Sequence, residues 1–150
     1  MDYIDKIIKD CQSAKKACAL REFEMQNIDN LSGITHAIYI FEEIEGDAQK
    51  TYDELKVYKA KKKRACPKIN TPSSILYVGS TTTGLKKRII QHMGDGPKGT
   101  YALHLKHWFK GQYKVTIKEY DVTKSVLQII EDALSADLCP AFGKSGANNK

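Results

Sequence analysis

Between Leu55 and Gly94 the chain contains no acidic residue, yet it carries ten Lys and Arg. Positive charge is concentrated there, which favours a polyanionic partner. Residues 1 to 54 have the opposite balance, six Lys and Arg against twelve Asp and Glu, and the whole sequence ends at a net charge of +6 with a pI near 9.0. Long apolar runs are also missing. None approaches the roughly 18 to 20 residues that span a bilayer, and Asp2 and Asp5 interrupt any apolar signal segment at the N-terminus. No membrane role is indicated. Cysteine is scarce: Cys11, Cys18, Cys66 and Cys139 show no CxxC spacing, so free thiols and a cytoplasmic location are expected. There are no repeats or low-complexity tracts. With 150 residues and 41% hydrophobic content, the chain suits one compact domain with extensions, residues 1–150.

The first segment reads as an amphipathic helix. Ile4, Ile7, Ile8, Cys11 and Ala14 recur at steps of three and four, with Lys6, Lys9, Asp10 and Lys15 opposite, so the stripe is expected to pack on the core. A polar break from Asn27 to Gly33 precedes the apolar run Ala37 to Phe41, which is too short for a helix and fits a strand covered on both faces. A polar segment, 42–74, follows, with a helix expected around Tyr52 to Arg64 that Cys66-Pro67 and Thr71-Pro72 stop. Ile75 to Val78 is a second short buried strand. Gly79 and the turn Ser80 to Gly84 lead into a helix whose Leu85, Ile89 and Met93 are expected to face the core. After the glycine-rich stretch Gly94 to Gly99, a short helical piece holds Leu103, Leu105, Trp108 and Phe109. Tyr113, Val115 and Ile117 then alternate with Lys114, Thr116 and Lys118 as in a half-buried strand. The last helix runs from about Thr123 to Leu138 and stops before Pro140.

Several polar side chains need a chemical reason for their places. Glu131 lies within or beside the apolar stripe Leu127, Ile130 and Leu134, where a carboxylate must be paired with a cation, protonated, or set at a cleft that holds a metal. A salt bridge at the core edge is the plainer alternative. Arg88 and His92, four residues apart, project from one side of their helix and could converge on one ligand, or simply form a solvated face. An arginine suits a phosphate because its planar donor fork grips two oxygens and stays charged. His104 and His107 lack a second close pair of ligands, so exposed imidazoles on a helix are expected rather than a zinc site.

Taken in order, the strand ending in Tyr39, the strand Tyr77-Val78-Gly79-Ser80, the helix with Arg88 and His92, and the later helix with Glu131 resemble the GIY-YIG nuclease superfamily, from about Thr35 to Asn149. The resemblance implies an α+β fold. A small central, mainly antiparallel sheet of about three strands would be flanked by helices, with an extra N-terminal helical extension, 1–30, and a basic insert, 42–74, between the first two strands. It also implies a catalytic set: Tyr39 and Tyr77 as the motif tyrosines, Arg88 on the phosphate, His92 beside them, and Glu131 as ligand to Mg²⁺ or Mn²⁺. Asn148, or its neighbour Asn149, would match the asparagine that follows the glutamate helix. Two departures stand out. Ala37 replaces the first glycine of the motif name, and the tyrosines are farther apart than in compact members.

The function these features imply is a metal-dependent DNA endonuclease, restriction-like by its added segments, with repair or mobile-element nicking as alternatives. An unperturbed tyrosine is a poor base at neutral pH, so Tyr39 as base, supported by Tyr77, would need a cation or a donor nearby. Lys59, Lys61, Lys62, Lys63 and Arg64 of the insert, with Lys86 and Lys87 beside Arg88, are the expected DNA contacts; lysines hold a backbone and read little sequence. RNA stays open as substrate. So do a non-catalytic nucleic-acid-binding module and a domain that binds an acidic protein. One active site cuts one strand at a time, so cleavage of both strands would take a homodimer or successive encounters.

Overall fold

A computed structural model describes residues 2–144. Four helices, α1 (Asp2–Lys16), α2 (Ala48–Ala60), α3 (Leu85–Ile90) and α4 (Lys124–Leu138), surround four strands, β1 (Arg21–Glu24), β2 (Ala37–Ile44), β3 (Ile75–Thr81) and β4 (Gln112–Glu119). The strands form one antiparallel sheet in the order β1-β4-β2-β3. The α+β architecture is therefore as expected, with one strand more. That strand lies within the supposed helical extension: the helix ends at Lys16, and Arg21–Glu24 pairs with Thr116–Glu119 at the sheet edge. Four alternating residues in a charged stretch give too short a period-two signal to be read from sequence.

The continuous apolar run in β2 follows from its central position, because β3 and β4 flank it and both its faces are covered. Ala37, Tyr39 and Phe41 point to one face with Leu55 of α2 and Leu85 and Ile89 of α3. Ile38 and Ile40 point to the other, where Val126, Leu127 and Ile130 of α4 meet them. Each such side chain, once buried, contributes on the order of 1.5–3 kcal/mol. Lys114 and Lys118 of β4 pair across the sheet with Glu42 and Glu22, their register partners. Thr123 caps α4, accepting a hydrogen bond from the Val126 amide at 3.3 Å, and Cys139 ends the helix in a left-handed conformation.

Two helix expectations are corrected. α2 begins at Ala48, because the Asp47 carboxylate accepts the Lys50 amide and caps it there, and it ends at Ala60. The basic run Lys61 to Arg64 is thus a turn with Lys62 at φ 55°, not a helix face. The packing expected of α1 is realised only towards its C-terminal end: none of its residues is buried, while Ala14 and the following Ala17 and Ala19 join the back layer. Among the described residues no helix is long and apolar enough to cross a membrane.

Candidate active site

The sheet register sets the first contact. Tyr39 on β2 lies directly opposite Gly79 on β3, and its ring lies across the glycine so closely that a Cβ at 79 would overlap the phenol. Gly79 is therefore required by space rather than by backbone conformation. Tyr77, two residues earlier on β3, stacks nearly parallel to Tyr39 with ring centroids 6.2 Å apart. Both phenols are enclosed.

Towards these rings α3 presents Leu85 and Ile89, and the turn that continues it presents His92, at steps of four and three. His92, not Met93, is the fully buried third member of the stripe; Met93 is only partly covered. The helix passes into a π-type turn, Gln91–Asp95, whose Gly94 at φ 120° lets it close against the next loop. His107 binds the Gly94 carbonyl at 2.9 Å, and Lys106 pairs with Asp95 at 2.5 Å. That loop supplies the Leu103 amide, which donates to His92 Nδ1 at 3.1 Å. A backbone N–H can only donate, so a neutral His92 carries its proton on Nε2 and donates to Tyr39 Oη at 3.0 Å. Burial, the Arg88 charge and His104 hold the imidazole well below its ordinary pKa, which keeps it neutral.

Arg88 completes the set, with Nε donating to Tyr39 Oη at 3.1 Å, Nη1 to Gln91 Oε1 at 3.0 Å and Nη2 to the Tyr101 carbonyl at 2.9 Å. Three of its five N–H groups are thereby engaged. The Tyr39 oxygen accepts from two donors, one cationic, an arrangement that favours the phenolate. Burial acts the other way and is the largest influence, so Tyr39 stays above its ordinary value despite Arg88, and the Glu131 carboxylate pushes it further up. Tyr77 is raised as well, by burial first and then by Tyr39.

Glu131 lies on α4, across the sheet from the phenol layer, and reaches β3 through Ser80, whose hydroxyl donates to Oε1 at 2.6 Å. Gln128 Nε2 donates to Oε2 at 3.2 Å. Burial raises its pKa, and the two donors and the Arg88 charge pull the other way. Among the described residues the core-edge salt bridge that sequence allowed does not form, and both hydrogen-bond partners of the carboxylate are neutral. A buried carboxylate with neutral partners is costly, and one hard cation that keeps most of its waters would relieve that cost. Among the described residues no group of three or more His, Cys, Asp and Glu could hold a metal ion.

The basic residues divide. Lys61, Lys62, Lys63 and Lys87 are exposed. Lys59 and Arg64 instead bind the carbonyls of Pro67 at 2.9 Å and Gly96 at 3.1 Å, and Lys86 pairs with Asp29 at 3.0 Å. Lys62, Lys63 and Arg64 line a groove of about 500 Å³ with Tyr101, which the sequence offered as a base-stacking or structural residue, and with Lys98, which it did not single out. The Tyr101 carbonyl is also the Arg88 anchor, so this groove adjoins the phenol cluster. His104 was expected to be exposed; it is buried, and its Nε2 lies 3.0 Å from the Ala65 carbonyl and 2.8 Å from that of Thr100, tying the insert to the loop. Asn148 and Asn149 lie outside the described residues. The tail leading to them is held as far as Gly143 by Asn70, whose side chain donates to the Pro140 and Gly143 carbonyls.

No family model, curated protein or solved structure matches the chain. The site itself offers a phenol that accepts from two donors, a partly exposed guanidinium and, across the sheet, a buried carboxylate with neutral partners.

Proposed function

We propose that the protein is a metal-dependent endonuclease of the GIY-YIG type that hydrolyses DNA phosphodiester bonds in a cytoplasmic setting. The observation that carries this reading is the convergence of Arg88 and His92 as donors on Tyr39 Oη, with the Glu131 charge close enough to raise both phenols. Phosphodiester hydrolysis needs a base for water, compensation for charge on the non-bridging oxygens, and help for the leaving oxygen. Arg88 compensates the charge on the phosphate. Tyr39, which burial and the Glu131 charge hold as the neutral phenol in the free protein, is the candidate base for the attacking water and needs further positive charge beside it to ionise. Mg²⁺ or Mn²⁺ at Glu131 would supply Lewis-acid stabilisation of the leaving oxygen. Neutralising Glu131 would also remove one of the influences that raise Tyr39.

Arg88 covers the Tyr39 oxygen, so a phosphate gains access by replacing the Gln91 and Tyr101 contacts of the guanidinium. The enclosure of both phenols favours a second reading, a nucleic-acid-binding module in which the tyrosines only pack. Supercoiled plasmid incubated at low salt with Mg²⁺, Mn²⁺ or EDTA separates the two. Metal-dependent nicking by the wild type that is lost in Glu131→Gln and Arg88→Ala supports the nuclease. Salt-sensitive retention of DNA without cleavage favours the binding module, and neither result would sink both.

A further inference from the structure

We propose that α1 is a dimerisation helix that pairs antiparallel with α1 of a second copy about a two-fold axis. Tyr3, Ile4, Ile7 and Ile8 are 74%, 50%, 42% and 51% exposed, and the three isoleucines continue through Cys11 as one stripe. A contiguous apolar face of this kind on a surface helix marks an interaction site. The ends of the helix indicate the occupant. Asp2 and Asp5 lie in the first turn and Lys15 and Lys16 in the last, so an antiparallel copy sets acid against base at both ends and opposes the helix dipoles. An isologous contact requires that self-complementarity.

The surroundings select the same direction. A groove of about 330 Å³ runs between α1 and α4, bordered by Cys11, Ala14, Lys15, Ile130 and Leu134. In an antiparallel pair of helices of 15 residues, the partner's first turn lies over this end, so its Tyr3 and Ile4 side chains meet the groove. An anionic membrane surface is a poorer occupant, because Asp2, Asp5 and Asp10 nearly offset the four lysines of the helix. The pairing does not depend on the nuclease reading.

The test is the mass of the full chain in solution, by light scattering and sedimentation over a range of concentrations. The wild type should be dimeric, and Ile4→Glu with Ile8→Glu should weaken association by about a hundredfold or more. Both positions are exposed, so that variant should keep the circular dichroism spectrum of a folded chain, while its Tm loses the concentration dependence that dimerisation gives the wild type. Asp2→Lys with Asp5→Lys, and separately Lys15→Glu with Lys16→Glu, should each weaken self-association, and a mixture of the two should restore it as a heterodimer. A monomeric wild type, a dimer indifferent to Ile4→Glu with Ile8→Glu, or no recovery on mixing would overturn the proposal. A monomer that pellets with phosphatidylserine vesicles would assign the face to lipid instead.

Discussion

Arg88 and the lysines after α2 belong to the same acid-free stretch, but the fold treats them in opposite ways. Arg88 is partly covered and makes three internal hydrogen bonds, and the neighbouring His92 makes one with each ring nitrogen. Lys61, Lys62 and Lys63 are exposed, and their side chains make no hydrogen bond or ion pair among the described residues. Placing a polar group in a core requires satisfied donors and acceptors, and that fixes its geometry before any ligand arrives. A solvated lysine requires nothing of the fold and acts on a ligand only as a mobile point charge. Chemistry therefore belongs to the first group and affinity to the second, and substitutions should separate them.

The largest effects should follow from Arg88 and Glu131. Arg88→Ala removes the phosphate cation and uncovers Tyr39, so cleavage should fall by about 10³–10⁵, as for other arginines that stabilise phosphoryl-transfer transition states, with DNA retention reduced far less. Glu131→Gln keeps neutral partners for Ser80 and Gln128 while removing the charge. The sign of its stability effect follows from its raised pKa: the folded state binds a proton more readily than the unfolded chain, so stability is lost as pH rises through the folded value. At neutral pH the variant should thus be at least as stable as the wild type, although inactive. Mg²⁺ should raise the Tm of the wild type and leave that of the variant unmoved. An active variant, or an equal Mg²⁺ response in both, would remove the metal assignment.

Gly79→Ala tests the same group without removing a polar atom. Its Cβ would take the space of the Tyr39 phenol, which the Gly79 register partner has no room to vacate between Tyr77 and His92. Destabilisation of about 1–3 kcal/mol is expected, measured by denaturant unfolding, together with lost cleavage. Retained activity would mean that Tyr39 need not sit where the structure has it.

His92 yields a smaller effect that depends on pH. Its folded pKa lies well below the ordinary 6.5, so stability is full above that value and falls as pH drops below it, when the unfolded chain takes up the proton first. His104, also depressed by burial, acts in the same direction. Gln at position 92 offers one acceptor and one donor and does not titrate. His92→Gln should therefore lower the slope of stability below pH 6.5 by up to about 1.4 kcal/mol per pH unit, the value for one proton, and leave the part due to His104. An unchanged slope would show that His92 is not buried in its neutral form.

Much of the sheet was legible because its central strands carry strong local signals: five consecutive apolar residues in β2, and clean alternation in β4. The edge strand β1 was not, since its charged alternation resembles the end of a helix. Helix boundaries depended on caps, and Asp47 sits among enough polar residues to hide that signal. The order Tyr39, Tyr77, Arg88 and His92 marked side chains that meet, but not how they meet, and Glu131 lies apart from them on Ser80 and Gln128. The Leu103 amide that sets the His92 tautomer and the Tyr101 carbonyl that anchors Arg88 are backbone groups, which every residue possesses and which only tertiary structure can aim. Lys98 was likewise invisible, because the groove it forms joins segments separated by the whole of β3 and α3.

The smallest effects are expected from the free lysines. Lys61→Ala, Lys62→Ala and Lys63→Ala together leave the core untouched, so the Tm should hold within about 2–3 °C. If each lysine neutralises one phosphate, the slope of log affinity against log salt concentration should become shallower by about three times 0.9. Affinity should fall equally for unrelated DNA sequences, because point charges on a backbone carry no base information. Single-turnover cleavage with enzyme in saturating excess should remain near the wild-type rate, in contrast to Arg88→Ala. A triple variant with normal salt dependence would make this turn a solvated surface and shift the binding role to Lys87 and Lys98. A triple variant that binds normally but cleaves slowly would erase the division between positioned and mobile charges.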